Sequence, residues 1–86
     1  MGAYSVVFKD SVRKDFSAVP AADARRIMER IASLADQPRG PGCEKLSGQE
    51  KYRARQGDWR ILFSIRDDEH TVCIVKIGHR RDVYRM

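Results

Sequence analysis

The chain has 86 residues, of which 42% are apolar, and a formal net charge of +5 at neutral pH. This length and composition predict one folded domain over residues 1–86 and argue against disorder. No apolar stretch approaches the roughly 18 residues that a membrane span requires, and the amino terminus lacks the pattern of a secretory signal, so we expect a cytoplasmic protein. Cys43 and Cys73 lack the spacing of a metal site, and neither a metal nor another cofactor is expected.

The positive charge is concentrated in the second half of the chain. Residues 1–50 contain eight Lys or Arg and seven Asp or Glu, whereas residues 51–86 contain nine and five. Three of those five acidic residues are adjacent, at positions 67–69, which is typical of a turn. The rest of the carboxy-terminal surface is therefore strongly basic, which favours a polyanionic partner such as a nucleic acid.

The first half predicts a strand and two helices. The segment AYSVVF is rich in β-branched and aromatic residues, which predicts a strand over about residues 3–8. Asp10 or Ser11 is expected to cap a first helix, whose apolar positions are Val12, Phe16 and Val19. A second helix follows Pro20, and its apolar positions repeat every 3.6 residues: Ala24, Ile27, Met28, Ile31, Leu34 and Ala35. We expect all of these, including the methionine, to face the core.

From Lys51 onward the apolar period changes to two, which predicts strands. After the loop segments DQPRGPG and CEKLSGQE, strands are expected around Tyr52, over residues 59–65 and over residues 72–77, with QGD and RDDEH as turns. The predicted order is β-α-α-β-β-β. This is an α+β fold with two amino-terminal helices packed on one face of a mostly antiparallel sheet.

Arginines are expected on the sheet face that the helices leave uncovered. Because strand side chains alternate, Arg53, Arg55 and Arg60 lie opposite the apolar positions. The side of Arg80 is not fixed, since it shares the parity of the apolar residue Ile74. A merely solubilising face normally mixes charges of both signs, and these strand positions contain no interleaved carboxylate. The pattern therefore favours a polyanion site.

The second half of the chain resembles the RelE branch of the RelE/ParE superfamily of type II toxins. The shared pattern is KL.G, then YR.R..D.R.L..I, then an apolar strand that ends IGHR..VY. It is most specific over residues 45–85, and the first half matches in its strand–helix–helix order. The resemblance implies a small microbial-ribonuclease-like (RelE-like) fold. It also implies a ribosome-dependent endoribonuclease, in which the ribose 2′-OH attacks the adjacent phosphate of mRNA without a metal ion.

The resemblance further implies site residues and partners. The catalytic set falls on Arg53, Arg55, Arg60, Arg80 and Tyr84. Nearby basic residues are expected to bind RNA: Lys45, Lys51, His79, Arg81 and Arg85. The implied partners are a cognate RelB-like antitoxin, mRNA and the A site of the 70S ribosome, with operator DNA contacted only through the antitoxin complex and no membrane involved.

The chain departs from the family pattern where well-known RelE members have lysines, at Arg53 and Arg55. Arginine stays protonated in proteins, so Arg53 is assigned substrate binding and charge stabilisation rather than proton abstraction. Glu44 and His79 remain as the two candidates for the general base.

Two other functions stay open at this point. One is a ParE-like toxin that inhibits DNA gyrase by binding, and the other is a non-catalytic nucleic-acid-binding partner of an antitoxin. The arginine set and the terminal tyrosine favour the nuclease.

Overall fold

The computed structural model describes residues 3–46, 48 and 50–83. In chain order the elements are β1 (Ser5–Phe8), α1 (Asp10–Ser17), α2 (Ala21–Asp36), β2 (Cys43–Lys45), β3 (Tyr52–Gln56), β4 (Trp59–Arg66), a 3₁₀ turn (Asp67–Glu69), β5 (Thr71–His79) and α3 (Arg80–Val83). Within these described ranges, no helix has the length and apolar character needed to cross a bilayer.

The strands form one sheet in the order β1-β5-β4-β3-β2. Strands β2 to β5 pair antiparallel, and β1 joins the edge as the parallel neighbour of β5. The α+β class, the mostly antiparallel sheet and the two preceding helices are thus confirmed. The loop prediction was wrong for residues 43–45, which form the edge strand β2. This strand has only three residues and no apolar alternation, so its pairing with β3 leaves little signal in the sequence.

One apolar core lies between the helices and one face of the sheet. Its fully buried large side chains come from helices α1 and α2 and from strands β4 and β5: Val12, Ile27, Leu34, Ile61, Phe63, Val72 and Ile74. The prediction for Met28 was wrong, because 46% of this residue is exposed. It follows Ile27 directly and therefore lies about 100° around the helix axis from that buried position. The sheet covers Ile27 and leaves Met28 at the surface.

A β-bulge divides β5 into two halves. Phe63 pairs with Ile74 but Leu62 pairs with Lys76, so Val75 is an extra residue without a partner in β4. Such an insertion reverses which face successive side chains occupy on either side of it. In β5, even-numbered residues therefore face the helices before the bulge and the opposite side after it.

Helix α1 packs along the part of β5 that β1 does not reach. The carboxylate of Asp15 accepts a hydrogen bond at 3.1 Å from the backbone N–H of Ile77, and its other oxygen lies 3.6 Å from Nζ of Lys76. A side chain thus satisfies a strand donor just after the bulge.

The predicted cap was wrong: α1 begins at Asp10 itself, and the preceding Lys9 makes no side-chain cap.

A polar cluster joins the loop after α2 to the β4–β5 turn. Arg39 donates to both carboxylate oxygens of Asp67, at 3.0 and 2.9 Å, and the hydroxyl of Tyr4 donates to the same carboxylate at 2.8 Å. Arg39 also lies over the ring of Tyr52 and donates to its hydroxyl. The hydrogen bonds from Arg39, followed by that from Tyr4, hold the pKa of Asp67 below its usual value. The hydrogen bond to Asp67 in turn raises the pKa of Tyr4.

Candidate nucleic-acid interface

The sheet face opposite the helices carries basic side chains from three neighbouring strands. In the ladder, Arg55 pairs with Arg60 across the β3–β4 hairpin, and Arg60 pairs with Gly78 of β5. The next row across the sheet runs through Glu44, Arg53, Leu62 and Lys76. We call these seven residues the arginine face: Glu44, Arg53, Arg55, Arg60, Leu62, Lys76 and Gly78. The predicted convergence of Arg53, Arg55 and Arg60 on one face agrees with this register.

Arg60 is the most buried charged residue of the arginine face. Only 9% of it is exposed. Its Nη1 donates to the carbonyl oxygens of Gly57 and Trp59, both at 2.9 Å, so the guanidinium is anchored to the β3–β4 turn. Its Nε is buried without a hydrogen-bond acceptor, and no carboxylate in the described part of the chain pairs with it. The group is held in place and remains uncompensated.

The other two strand arginines share one carboxylate. Glu44 reaches Arg53 Nη2 with one oxygen at 2.9 Å and Arg55 Nη2 with the other at 3.3 Å. Arg53 is mostly covered, with a side-chain exposure of 14%, whereas about half of the Arg55 side chain is exposed. The expectation of a face without an interleaved carboxylate was wrong. Glu44 comes from β2, the strand that the sequence did not reveal, and it lies directly opposite Arg53.

Arg80 reaches the same end of the sheet from the other side. Its backbone N–H donates to the carbonyl oxygen of Asp58 at 2.8 Å, and its Nε lies 3.8 Å from the Asp58 carboxylate. The bulge in β5 puts Gly78 on the side of the arginine face, whereas strict alternation would follow Ile74 toward the helices. Arg80 is the first residue of α3, and its backbone hydrogen bond to Asp58 holds it beside the β3–β4 turn.

His79 occupies the opposite face. It pairs with Trp59 in the ladder, and the two rings meet edge to face with centroids 5.6 Å apart. Its Nδ1 accepts a hydrogen bond from the backbone N–H of Arg81 at 3.3 Å, and Trp59 donates to Asp23 of α2. His79 is therefore not brought together with the arginines of the neighbouring face.

The remaining predicted RNA-binding residues are peripheral. Lys45, Lys51 and Arg81 are exposed, and Lys45 lies 3.9 Å from the carboxylate of Glu50. Tyr84, predicted as catalytic, and Arg85, predicted to bind RNA, lie outside the described residues.

Sequence reasoning missed two members of the arginine face. Lys76 and Leu62 are cross-strand partners, and Leu62 is buried although it does not belong to the main core. A strict alternation in β5 puts Lys76 on the helix side with Val72 and Ile74. The signal that could have revealed it is the run of apolar residues from Val72 to Val75, which no single alternation explains.

The arginine face offers charge and hydrogen-bond donors rather than metal ligands. In residues 3–46, 48 and 50–83, no three His, Cys, Asp or Glu side chains are grouped so that they could hold a metal ion. Both cysteines are free thiols in half-buried positions. Planar guanidinium groups at these spacings suit phosphate oxygens, because each can present two parallel N–H donors.

Comparison with known proteins agrees with this geometry. A family model described as the ParE toxin of the type II toxin–antitoxin system parDE matches residues 6–84. Toxin RelG of Mycobacterium tuberculosis is 31% identical over 86 residues, which span 95% of this chain and 97% of the relative.

Solved structures share the fold over nearly the whole chain. One chain in the RelBE2 toxin–antitoxin complex of M. tuberculosis matches with a TM-score of 0.82 and 27% identity, over 91% of this chain and 99% of the other. One chain in the RelE–RelB complex of Pyrococcus horikoshii OT3 matches with a TM-score of 0.81 and 29% identity, over 93% and 98%. The chain therefore belongs to the RelE/ParE superfamily and is a toxin of the type II toxin–antitoxin class.

Proposed function

We propose that this toxin is a ribosome-dependent endoribonuclease that inhibits translation by cutting mRNA. The observation that carries the proposal is Arg60, a residue that is 9% exposed and whose guanidinium is anchored to two backbone carbonyl oxygens. Among the described residues it has no carboxylate partner. A buried charge without a counterion is strongly unfavourable, and a bound phosphate would supply the missing anion.

The proposed reaction is a transesterification at one phosphodiester. The 2′-oxygen of the preceding ribose forms a bond to phosphorus, the bond from phosphorus to the 5′-oxygen breaks, and the products are a cyclic phosphate and a 5′-hydroxyl. One proton leaves the 2′-OH, and one is delivered to the 5′-oxygen. Negative charge accumulates on the nonbridging oxygens in between, where fixed positive donors stabilise it most. No metal ion is needed in this scheme.

Arg60 and Arg55 supply those donors from adjacent strands, and Arg53 extends them to the next phosphate along the RNA. Arg80 approaches from the start of α3 and serves the leaving side. In the family pattern Tyr84 would stack on an extruded base and position the nucleophile. Each of these roles is a proposal for this chain.

Neither Glu44 nor His79, the two candidates for the general base, is placed to remove the proton from the 2′-OH. His79 packs against Trp59 on the helix-covered face, and both carboxylate oxygens of Glu44 are engaged by arginines. Rate enhancement would therefore come mainly from positioning and charge stabilisation, with the ribosome holding the RNA in line. A missing general base costs about 10²–10⁴-fold, which an enzyme of this kind can tolerate.

We propose that this toxin is a single-domain, cytoplasmic protein. Its proposed partners follow from the positive charge of the arginine face. The M. tuberculosis and P. horikoshii relatives were solved as complexes of RelE-type and RelB-type proteins. We propose a cognate RelB-like antitoxin that covers the arginine face, and mRNA in the A site of the 70S ribosome as the target. Contact with operator DNA would occur only through the antitoxin complex.

The test is to map the 5′ ends of mRNA on translating ribosomes after induction of the toxin. Wild type should produce new in-frame 5′ ends, and both Arg60→Ala and Tyr84→Phe should abolish them together with toxicity. Arg66→Ala is the matched control, because Arg66 lies on the same strand but is exposed and paired with Glu69 at 3.1 Å. If a variant that combines Arg60→Ala and Tyr84→Phe is as toxic as wild type, cleavage is excluded as the mechanism.

The name of the matching family model keeps gyrase inhibition as the second candidate. A ParE-like toxin would block supercoiling by purified gyrase and leave mRNA ends unchanged. Operator binding without toxicity would instead identify a non-catalytic partner of the antitoxin. These three assays, applied to the same set of variants, separate the three functions.

A further inference from the structure

Glu44 occupies the part of the arginine face that a phosphate would otherwise fill. It lies on the edge strand β2 opposite Arg53, and its side chain points along the same face. Each of its two carboxylate oxygens contacts a different guanidinium, that of Arg53 at 2.9 Å and that of Arg55 at 3.3 Å. Half of the Glu44 side chain is nevertheless exposed, so it can leave without unfolding the strand.

A carboxylate held in this way resembles two nonbridging oxygens of a phosphodiester. Both groups present two anionic oxygens, and both accept hydrogen bonds from arginine N–H donors. The same donors cannot serve Glu44 and a phosphate fully at one time. A phosphate that approaches Nη2 of Arg55 therefore competes with the carboxylate, which also remains nearby as a repelling charge.

Arg60 differs from Arg53 and Arg55 in whether a carboxylate already contacts its guanidinium. Arg60 has no carboxylate partner in the described chain, so an anion can bind there directly. Arg53 and Arg55 already contact a carboxylate that competes with an incoming anion. That carboxylate also explains how three strand arginines coexist on one face in the absence of RNA, because Glu44 reduces their mutual repulsion.

We propose that Glu44 is an internal counter-anion that competes with RNA phosphate for Arg53 and Arg55, and so sets the affinity of the site rather than transferring a proton. This inference rests on the proposed function for its ligand. Exposed ion pairs are individually weak, so removing the carboxylate should tighten phosphate binding by about three- to tenfold.

The probes are inorganic phosphate, followed by the Nε–H resonances of the arginines, and an RNA oligonucleotide with 2′-O-methyl riboses, followed by fluorescence anisotropy. Glu44→Gln should bind both about three- to tenfold more tightly than wild type, and Glu44→Ala should change affinity in the same direction. Glu50→Gln is the matched control: it adds the same unit of charge, and the Glu50 side chain is 95% exposed and lies 3.9 Å from Lys45 Nζ. Its affinity should stay within about twofold of wild type.

Equal affinities of Glu44→Gln and Glu50→Gln would overturn the inference, as would weaker binding by both Glu44 variants. Single-turnover cleavage on saturated ribosomes gives the second readout. A fall of about 10²-fold in Glu44→Gln would assign Glu44 to proton transfer and overturn its role as a counter-anion. Tighter phosphate binding by Glu44→Gln with no cleavage by any variant, wild type included, would refute the nuclease function and leave the counter-anion in place.

Discussion

Arg60 and Gly78 lie directly opposite each other in the β4–β5 ladder, and the next pair toward the end of the sheet is Trp59 and His79. Directly opposed Cβ positions are only about 4.5–5.5 Å apart, and a glycine adds no side chain there. The guanidinium of Arg60 therefore meets no side chain in the space directly across from it on β5. Because alternate residues face opposite ways, His79 is turned from that space while remaining adjacent to it in sequence.

Replacement of Arg60 by lysine should abolish most activity although the charge is kept. The guanidinium uses Nη1 to bond two carbonyl oxygens, of Gly57 and Trp59, and still has donors left to present to a ligand. A lysine ammonium held by the same oxygens has a single nitrogen and no planar fork. We expect ribosome-dependent cleavage to fall by about 10²-fold or more, measured under single-turnover conditions.

Arg66→Lys, in the same strand, serves as the control and should retain activity, because Arg66 is exposed and paired with Glu69. Full activity of Arg60→Lys would mean that positive charge alone, without bidentate geometry, is what this position supplies.

Gly42, just before β2, and Gly48, after it, form a matched pair for testing how a new Cβ affects stability. Both have positive φ, +83° and +69°, so alanine strains the backbone at either position by about 1–2 kcal/mol. At Gly42 the new Cβ would also lie 2.9 Å from Nη2 of Arg30, which donates to the carbonyl oxygen of Pro41. At Gly48 nothing lies within 4 Å. Chemical denaturation should show Gly42→Ala to be less stable than Gly48→Ala by about 1 kcal/mol, the value of the displaced hydrogen bond. Equal losses would show that Arg30 moves aside freely.

Asp15 should matter through its acceptor oxygen rather than its charge. Its carboxylate bonds the backbone N–H of Ile77 just after the bulge, and only 15% of its side chain is exposed. Asp15→Ala leaves that donor without a partner and should lower the free energy of unfolding by about 1–3 kcal/mol. Asp15→Asn keeps an acceptor and should lose less than half as much. Hydrogen exchange at the Ile77 amide provides a local check, since protection should fall in the alanine variant. If the two variants lose equal stability, the ion pair with Lys76 is the dominant contribution.

The sequence was sufficient for the elements with strong periodicity and insufficient where pairing was decided by distant partners. Helix α2 and strand β4 follow their apolar patterns, and the side of Arg60 followed from alternation alone. The bulge at Val75 could not be inferred in this way, because it is a property of two strands in register. Its effect extends to Lys76 and Gly78, whose sides depend on it.

Edge strand β2 was missed for a related reason. Three residues with no alternation form a strand because β3 offers an edge to pair with, and that pairing carries Glu44 to Arg53. The contact between Glu44 and Arg53 therefore could not be predicted from local sequence patterns.

The Asp67 cluster predicts a specific loss of stability in acid. Its folded-state pKa is lowered by the hydrogen bonds from Arg39 and Tyr4. The stabilisation is therefore complete above the unfolded pKa of about 3.9 and is lost as the pH falls through the lower, folded value. The free energy of unfolding, measured from pH 2 to 7, should fall more steeply in acid for wild type than for Asp67→Asn. The two curves should converge at the acidic end, since protonated Asp67 and asparagine both lack the charge. The exposed neighbour Asp68 is the control for the change in charge, and Asp68→Asn should retain the steep fall in acid. Parallel curves for wild type and Asp67→Asn would show that the contacts of Arg39 and Tyr4 persist without the carboxylate charge.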